Sequence, residues 1–255
     1  MCGTCGCGDP QVDEPQTVRV LELHRNLLSR NDAQAAANRA HFRAHGLLSL
    51  NVLSAPGSGK TALLEQLAQR WPQQPIAVIV GDQATDNDAR RLEAAGARAV
   101  QIRTGELCHL EADLVDRAFR QIDLMGVNLL VIENVGNLVC PGAYDLGEGL
   151  RVVLVSTTEG EDKPLKYAPI FHGADLVLIT KIDLAEVVEF DRAAAHAAIA
   201  RVAPHARVLE TSARSGAGLD ALIEALGLAI APAEAPISSA DPSAAHPSGA
   251  PALVP

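Results

Sequence analysis

The run Ser54-Ala-Pro-Gly-Ser-Gly-Lys-Thr61 is the densest piece of chemistry in the chain. Gly57, Ser58 and Gly59 form a loop whose backbone can turn its amides toward an anion, because glycine tolerates the unusual torsions this needs. Lys60 is placed to reach the β- and γ-phosphates of a nucleoside triphosphate, and the Thr61 hydroxyl to bind Mg²⁺. The loop follows an apolar run at 47–53 and opens a helical stretch at 60–70, the strand-to-helix context that phosphate loops require. Ser54, itself small, stands where the first glycine of such a loop is usual.

A second strand end, after the apolar run 176–179, reads Thr180-Lys181-Ile182-Asp183. It resembles the guanine-reading Asn-Lys-x-Asp of GTPases. The Asp183 carboxylate is an acceptor that suits the N1 and N2 donors of guanine, a pair that adenine lacks. The stem of Lys181 would lie over the ring. On its own the string also fits an ordinary strand end with Asp183 as a helix cap. Thr180 replaces the usual Asn, whose work is to brace neighbouring loops, so weakened support with base choice kept is expected. Glu210-Thr-Ser-Ala-Arg214 ends a later strand, and Ser212 and Ala213 there resemble the loop whose backbone meets guanine O6.

Two further strand ends carry acids between those motifs: Val80-Gly-Asp-Gln-Ala-Thr-Asp-Asn-Asp88 and Val131-Ile-Glu-Asn-Val-Gly-Asn137. Glu133 follows a fully apolar strand and needs a partner there. Gly136 matches the glycine whose amide meets a γ-phosphate. Asp82 could hold Mg²⁺ directly or through water, or could position the attacking water. Lys60, Asp82, Glu133 and Gly136 are therefore the catalytic candidates, for in-line transfer of a phosphoryl group to water. Thr61, Asp82 and Glu133 are the Mg²⁺ candidates.

The cysteines carry separate chemistry. Cys2, Cys5 and Cys7 lie close together with glycine spacers, and soft thiolates suit Ni(II), Zn(II) or Cu(I). A redox dithiol is the other reading of that arm. Cys108-His109 precedes a helical stretch, and Cys140 follows the Glu133–Gly136 segment. If the fold joins them, they make a Cys/His/Cys site that water or a second subunit could complete. Inert packing is the usual fate of a lone buried cysteine.

These motifs need an α/β frame. Apolar runs at 47–53, 76–80, 99–102, 127–132, 151–155, 176–179 and 207–209 alternate with helical patterns at 60–70, 88–95, 110–122, 185–202 and 219–226. That rhythm predicts a mainly parallel sheet flanked by helices. Four parts follow: a Cys-rich arm at 1–15, a helix within 16–46 that Gly46 ends, a nucleotide domain at 47–230, and a disordered Pro/Ala/Ser tail at 231–255. His24, His41 and His45 read as solvated and His172 as packing, while Lys163 and Lys166 fit contacts to a partner or nucleotide as well as they fit a solvated loop. The net charge of −10 argues against nucleic acid as a partner. No long apolar run suggests a membrane span, and the N-terminus does not read as a secretory signal, so a cytoplasmic protein is expected.

Taken together, the motifs resemble the HypB family, the hydrogenase nickel-incorporation GTPases of the SIMIBI class. The strings that carry the resemblance are Cys2-x-x-Cys5-Gly-Cys7, the phosphate loop, Gly81-Asp82-Gln83, Thr104-Gly-x-x-Cys108-His109-Leu110, Glu133-Asn-Val-Gly-Asn-Leu-Val-Cys-Pro141 and Glu159-Gly-Glu-Asp-Lys-Pro-Leu-Lys-Tyr167. The resemblance implies a P-loop GTPase that uses GTP and Mg²⁺ and forms a homodimer with GTP. It implies one nickel site at Cys2, Cys5 and Cys7, and a nickel or zinc site at Cys108, His109 and Cys140. It also implies two partners, a HypA-type metallochaperone and the large subunit of a [NiFe] hydrogenase. A urease-type nickel GTPase would carry Cys-Pro-His, whereas here Cys140-Pro141 is followed by glycine. A metal-storage protein with a vestigial phosphate loop and an ATP-using kinase are rivals of other classes.

Overall fold

The computed structural model describes residues 14–230 apart from 74, 83–86 and 106, with side chains from Leu27 to Ala229. The Cys2, Cys5 and Cys7 arm, Gln83, the His24 side chain and the 231–255 tail lie outside the described residues. In chain order the elements are α1 (Glu14–Ala44), β1 (Leu48–Ser54), α2 (Lys60–Arg70), β2 (Ala77–Asp82), α3 (Asn87–Ala94), β3 (Arg98–Arg103), α4 (Ala112–Phe119) and β4 (Leu129–Glu133). There follow β5 (Leu150–Ser156), α5 (Lys163–Lys166), α6 (Ala168–His172), β6 (Leu176–Thr180), α7 (Arg192–Val202), β7 (Arg207–Glu210) and α8 (Leu219–Ile230).

The seven strands form one sheet in the order β3-β2-β4-β1-β5-β6-β7, with every neighbouring pair parallel. Strand side chains alternate between faces. Leu50, Val52, Val78 and Val131 pack on one face against Leu63 and Leu67 of α2, Leu92 of α3 and Leu222 of α8. On the other face Ile79, Leu130 and Ile132 meet Phe42 of α1 and Val115 and Phe119 of α4. Val153, Val155 and Ile179 meet Phe171 of α6 and Ile199 of α7 on that same side. Both faces are covered, which is why the strands read as continuous apolar runs rather than as alternating ones. An all-parallel sheet brings every strand's C-terminal end to one edge, so the loops after β1, β2, β4, β6 and β7 meet there.

Five expectations need correction. The helix expected at 110–122 is shorter, Ala112–Phe119. Glu111 is extended, and the Leu110 amide donates to the Asn134 side chain instead of joining a helix. The helix expected at 185–202 begins only at Arg192, where Asp191 accepts from the Ala194 amide as an N-cap. Glu189 before it is in the left-handed region (φ 53°), which a helix cannot continue through. Lys163 and Lys166 stand on a helical turn, not in a loop, and His172 is exposed rather than packed. At the front, α1 begins at Glu14, inside the segment read as the arm.

Candidate functional site: a nucleotide cleft beside a thiolate–imidazole cluster

The phosphate loop follows β1, the strand held between β4 and β5. Gly57 (φ 75°) and Gly59 (φ 95°) adopt the torsions that made glycine necessary there. Lys60 is only 8 % exposed, and its Nζ donates to Ser54 Oγ at 2.8 Å. The serine in place of the usual glycine thus parks the ammonium within the loop. Burial lowers the Lys60 pKa, opposed by the nearby Glu133 carboxyl. Thr61 Oγ1 donates to Glu133 Oε1 at 2.8 Å. Glu133 Oε2 is buried with no hydrogen-bond partner among the described residues. Burial of this 3 % exposed side chain outweighs Lys60 and Thr61 and pushes its pKa up to about 7.

Asp82, Glu133 and Gly136 line one cavity of about 420 Å³ with Lys60 and Thr61. At Gly136 a Cβ would fall 3.0 Å from Pro56 Cα, so a side chain there would push the loop aside. Asp88 and Arg91 of α3 line the same cavity, and Arg91 is held by a bidentate pair to Glu65 at 2.9 and 2.8 Å. The orphaned, buried carboxylate oxygen beside the Thr61 hydroxyl has the donor chemistry that Mg²⁺ takes, oxygen ligands from an acid and an alcohol.

A second cavity, about 230 Å³, shares Gly59 and Ala62 with the first. Thr180, Lys181, Asp183 and Ala213 line it. Lys181 is left-handed (φ 57°), a strained torsion held by Thr157 Oγ1 donating to its carbonyl at 2.9 Å. Its Cε passes 3.9 Å from where a Gly59 side chain would begin, so the stem lies along the loop. Ser212 Oγ donates to Asp183 Oδ1 at 2.5 Å and aims the carboxylate. Thr180 does supply a brace: its buried hydroxyl donates to the Ser58 carbonyl at 2.7 Å and ties the end of β6 to the phosphate loop directly.

The metal candidates inside the domain come together. The ligand atoms of Cys108, His109 and Cys140 all lie within 4.8 Å of one another. Cys108 Sγ faces His109 Nδ1 at 3.8 Å. The Cys108 thiol is raised above its usual pKa, first by its hydrogen bond with Cys140 and then by burial. Burial holds His109 below its usual value. Two contacts were not legible in the sequence: Tyr144 stacks on the His109 ring (centroids 3.9 Å apart), and Glu111 Oε1 lies 3.7 Å from His109 Nε2. Such outer partners orient a ligating imidazole. The two sites also touch. Asn134, next to Glu133, accepts from the Leu110 amide at 3.3 Å, and Asn137 Nδ2 donates to the Cys108 carbonyl at 3.3 Å.

In the sequence Glu159 stands out only as the first residue of the Glu159–Tyr167 string. Its Oε1 accepts from Ser58 Oγ at 2.5 Å and from the Ser156 amide at 3.2 Å, closing a capping box behind the phosphate loop. A serine followed three residues later by glutamate was the signal available for it.

The family model described as "CobW/HypB/UreG, nucleotide-binding domain" matches residues 49–210. The hydrogenase maturation factor HypB of Azotobacter chroococcum is 51% identical over 202 residues, covering 79% of this chain and 66% of that protein. The chain therefore spans about two thirds of that relative's length. The crystal structure of HypB from Helicobacter pylori in complex with nickel matches with a TM-score of 0.75 at 39% identity, covering 79% of this chain and 95% of the other. HypB from Archaeoglobus fulgidus matches with a TM-score of 0.74 at 37% identity, covering 80% of this chain and all of the other. By sequence and by fold alike, the chain belongs to the HypB family of hydrogenase maturation factors, within the CobW/HypB/UreG group of nucleotide-binding domains.

Proposed function

We propose that this chain is a GTP-hydrolysing metallochaperone that carries nickel toward the large subunit of a [NiFe] hydrogenase. The observation that carries the proposal is the single segment from Glu133 to Cys140, which lines the phosphate cavity at one end and supplies a thiol to the Cys108/His109/Cys140 cluster at the other. A segment so placed can make nickel affinity depend on the nucleotide.

Asp183 selects guanine, Lys181 covers the ring, and the Ser212–Ala213 loop closes the base site. Gly57, Ser58 and Gly59 cradle the phosphates, and Lys60 leaves Ser54 for the β- and γ-oxygens. Thr61 with Glu133 and Asp82 would hold Mg²⁺, which supplies charge neutralisation between the phosphates when bound. Water attacks the γ-phosphorus in line. The bond to the β-phosphate oxygen breaks, GDP leaves with that electron pair, and inorganic phosphate takes the water oxygen. Gly136 lets its amide approach the γ-phosphate without displacing Pro56.

Nickel is the cargo, with zinc as an alternative occupant of the thiolate–imidazole cluster, and Cys2, Cys5 and Cys7 form a second nickel site. Val139 (67 % exposed) and Leu107 (42 % exposed) flank the ligands, which supports a GTP-dependent homodimer meeting at this cluster. A HypA-type chaperone is the expected partner in a cytoplasmic setting, and no helix of the described residues is long and apolar enough to cross a membrane.

GTP turnover and nickel titration, on the wild type, Lys60→Ala and Cys108→Ala, test this reading. Lys60→Ala should cut turnover about 100-fold or more, or ~2.7 kcal/mol of barrier, and leave nickel at the cluster. Cys108→Ala should do the reverse. Nickel affinity at the cluster should differ between GDP and a non-hydrolysable GTP analogue. Equal affinities would sink the nucleotide gate, and absent turnover would leave a storage protein.

A further inference from the structure

The cluster's ligands stand on two segments far apart in sequence, Cys108-His109 before α4 and Cys140 before β5, and both end on the same face of α1. Asn31 Oδ1 accepts from the Ala112 amide at 2.9 Å while its Nδ2 donates to the Asp145 carbonyl at 2.8 Å. Asn38 is fully buried, and its Nδ2 donates to the Ala112 carbonyl at 2.8 Å and to the Leu146 carbonyl at 3.0 Å. Each asparagine therefore bridges one ligand segment to the other. Ala112 lies one residue beyond Glu111, which faces His109, and Asp145 follows Tyr144, which stacks on it. Arg39 Nη2 adds an ion pair to both Asp145 carboxylate oxygens at 2.7 and 2.8 Å. At Gly147 a Cβ would fall 2.6 Å from the Ala35 carbonyl, so the second segment lies directly on the helix.

We propose that α1 positions the internal metal centre: Asn31 and Asn38 hold the Cys108-His109 segment and the Cys140–Tyr144 segment at the spacing the ion requires. This rests on the reading of Cys108, His109 and Cys140 as metal ligands. Asn31 and Asn38 touch no ligand atom. They act as outer supports, whose loss in metal sites typically weakens binding 10–100-fold. Asparagines two helical turns apart on one face are suited to this, since each offers a donor and an acceptor at a fixed point along the helix.

The test uses the full chain with Cys2, Cys5 and Cys7 changed to alanine, so that thiolate-to-nickel absorption reports the internal centre alone. Into this background go Asn31→Ala, Asn31→Asp and, as a control for general loosening, Asn128→Ala, which removes a comparable bond to Trp71 at the far end of the sheet. Asn31→Ala should weaken nickel binding about 10-fold or more and shift the absorption band, with GDP affinity within about twofold of the parent. Asn31→Asp keeps the acceptor for Ala112 and sets a repelling carboxylate oxygen against the Asp145 carbonyl, so its loss should be at least as large; it also serves if Asn31→Ala does not fold. Parental nickel affinity and spectrum in both Asn31 variants would overturn the proposal. So would an equal nickel loss in Asn128→Ala at a matched fall in Tm. Nickel binding that survives Cys108→Ala in this background would overturn the metal-centre reading itself, and the positioning role with it.

Discussion

The nucleotide cleft and the metal cluster lie side by side but are built differently. In the cleft each functional side chain stands at a strand end or in the first helical turn that follows one, and is held by one neighbour: Lys60 by Ser54, Thr61 by Glu133, Asp183 by Ser212, Thr180 by the Ser58 carbonyl. Cys108 and His109 stand on a loop and Cys140 opens a single 3-10 turn (Cys140–Ala143), and their support comes from Tyr144, Glu111 and α1. Sites built on strands hold geometry more tightly than sites on loops. A nucleotide must be held in one pose for in-line transfer, whereas a carried ion must also leave. The difference suits the proposed division of labour, a rigid reader beside a releasable grip.

The comparison can be broken most forcefully at Asp183. Asp183→Asn should lower GTP affinity by about 100-fold or more, because a site built for two donors then meets one amide donor and loses its charge. Xanthosine triphosphate, with a carbonyl at position 2, should gain. Nickel at the cluster should not move in a titration without nucleotide. If GTP preference survives, Asp183 is a helix cap and the base site lies elsewhere.

Glu133 sharpens the comparison through pH. Its pKa of about 7 lies above the ordinary carboxylate value, so the nucleotide-free folded state holds the proton more tightly than the unfolded chain. Stability from that proton is full below the ordinary value and is lost as pH rises through about 7. Glu133→Gln cannot ionise, so its Tm advantage over wild type should grow from pH 5 to pH 8. A constant difference across that range would mean that Glu133 is already charged in the free protein. The smallest expected effect belongs to Thr180→Val, which keeps shape and removes the bond to Ser58. GDP affinity should fall about fivefold, or ~1 kcal/mol, by calorimetric titration. An unchanged affinity would show the loop brace to be idle.

Most of the cleft was legible because its parts are short contiguous strings at strand ends. A glycine-rich turn before a helix, or an acid after four buried apolar residues, has few other physical explanations. The short helices α5 and α6 were missed because four or five residues carry no readable period. Helices α4 and α7 are shorter than the apolar pattern suggests because their starts depend on the Asn134 side chain and on a left-handed residue at Glu189. Thr180 was expected to brace poorly on its residue type alone. Only the sheet register, in which β5 links β1 to β6 and brings the end of β6 level with the phosphate loop, shows its hydroxyl within reach of Ser58.

The sequence by itself determined the succession of buried strands, the phosphate-loop string, the Thr180–Asp183 string and the presence of soft ligands, since each is a pattern carried by a few adjacent residues. Tertiary structure alone decided that Cys108 and Cys140 meet, that Tyr144 and Glu111 orient His109, and that Asn31 and Asn38 join the two ligand segments. Those are contacts between distant parts of the chain. They form because packing α1 and α4 on one face of the sheet brings loops together at its edge, a constraint that no local pattern expresses.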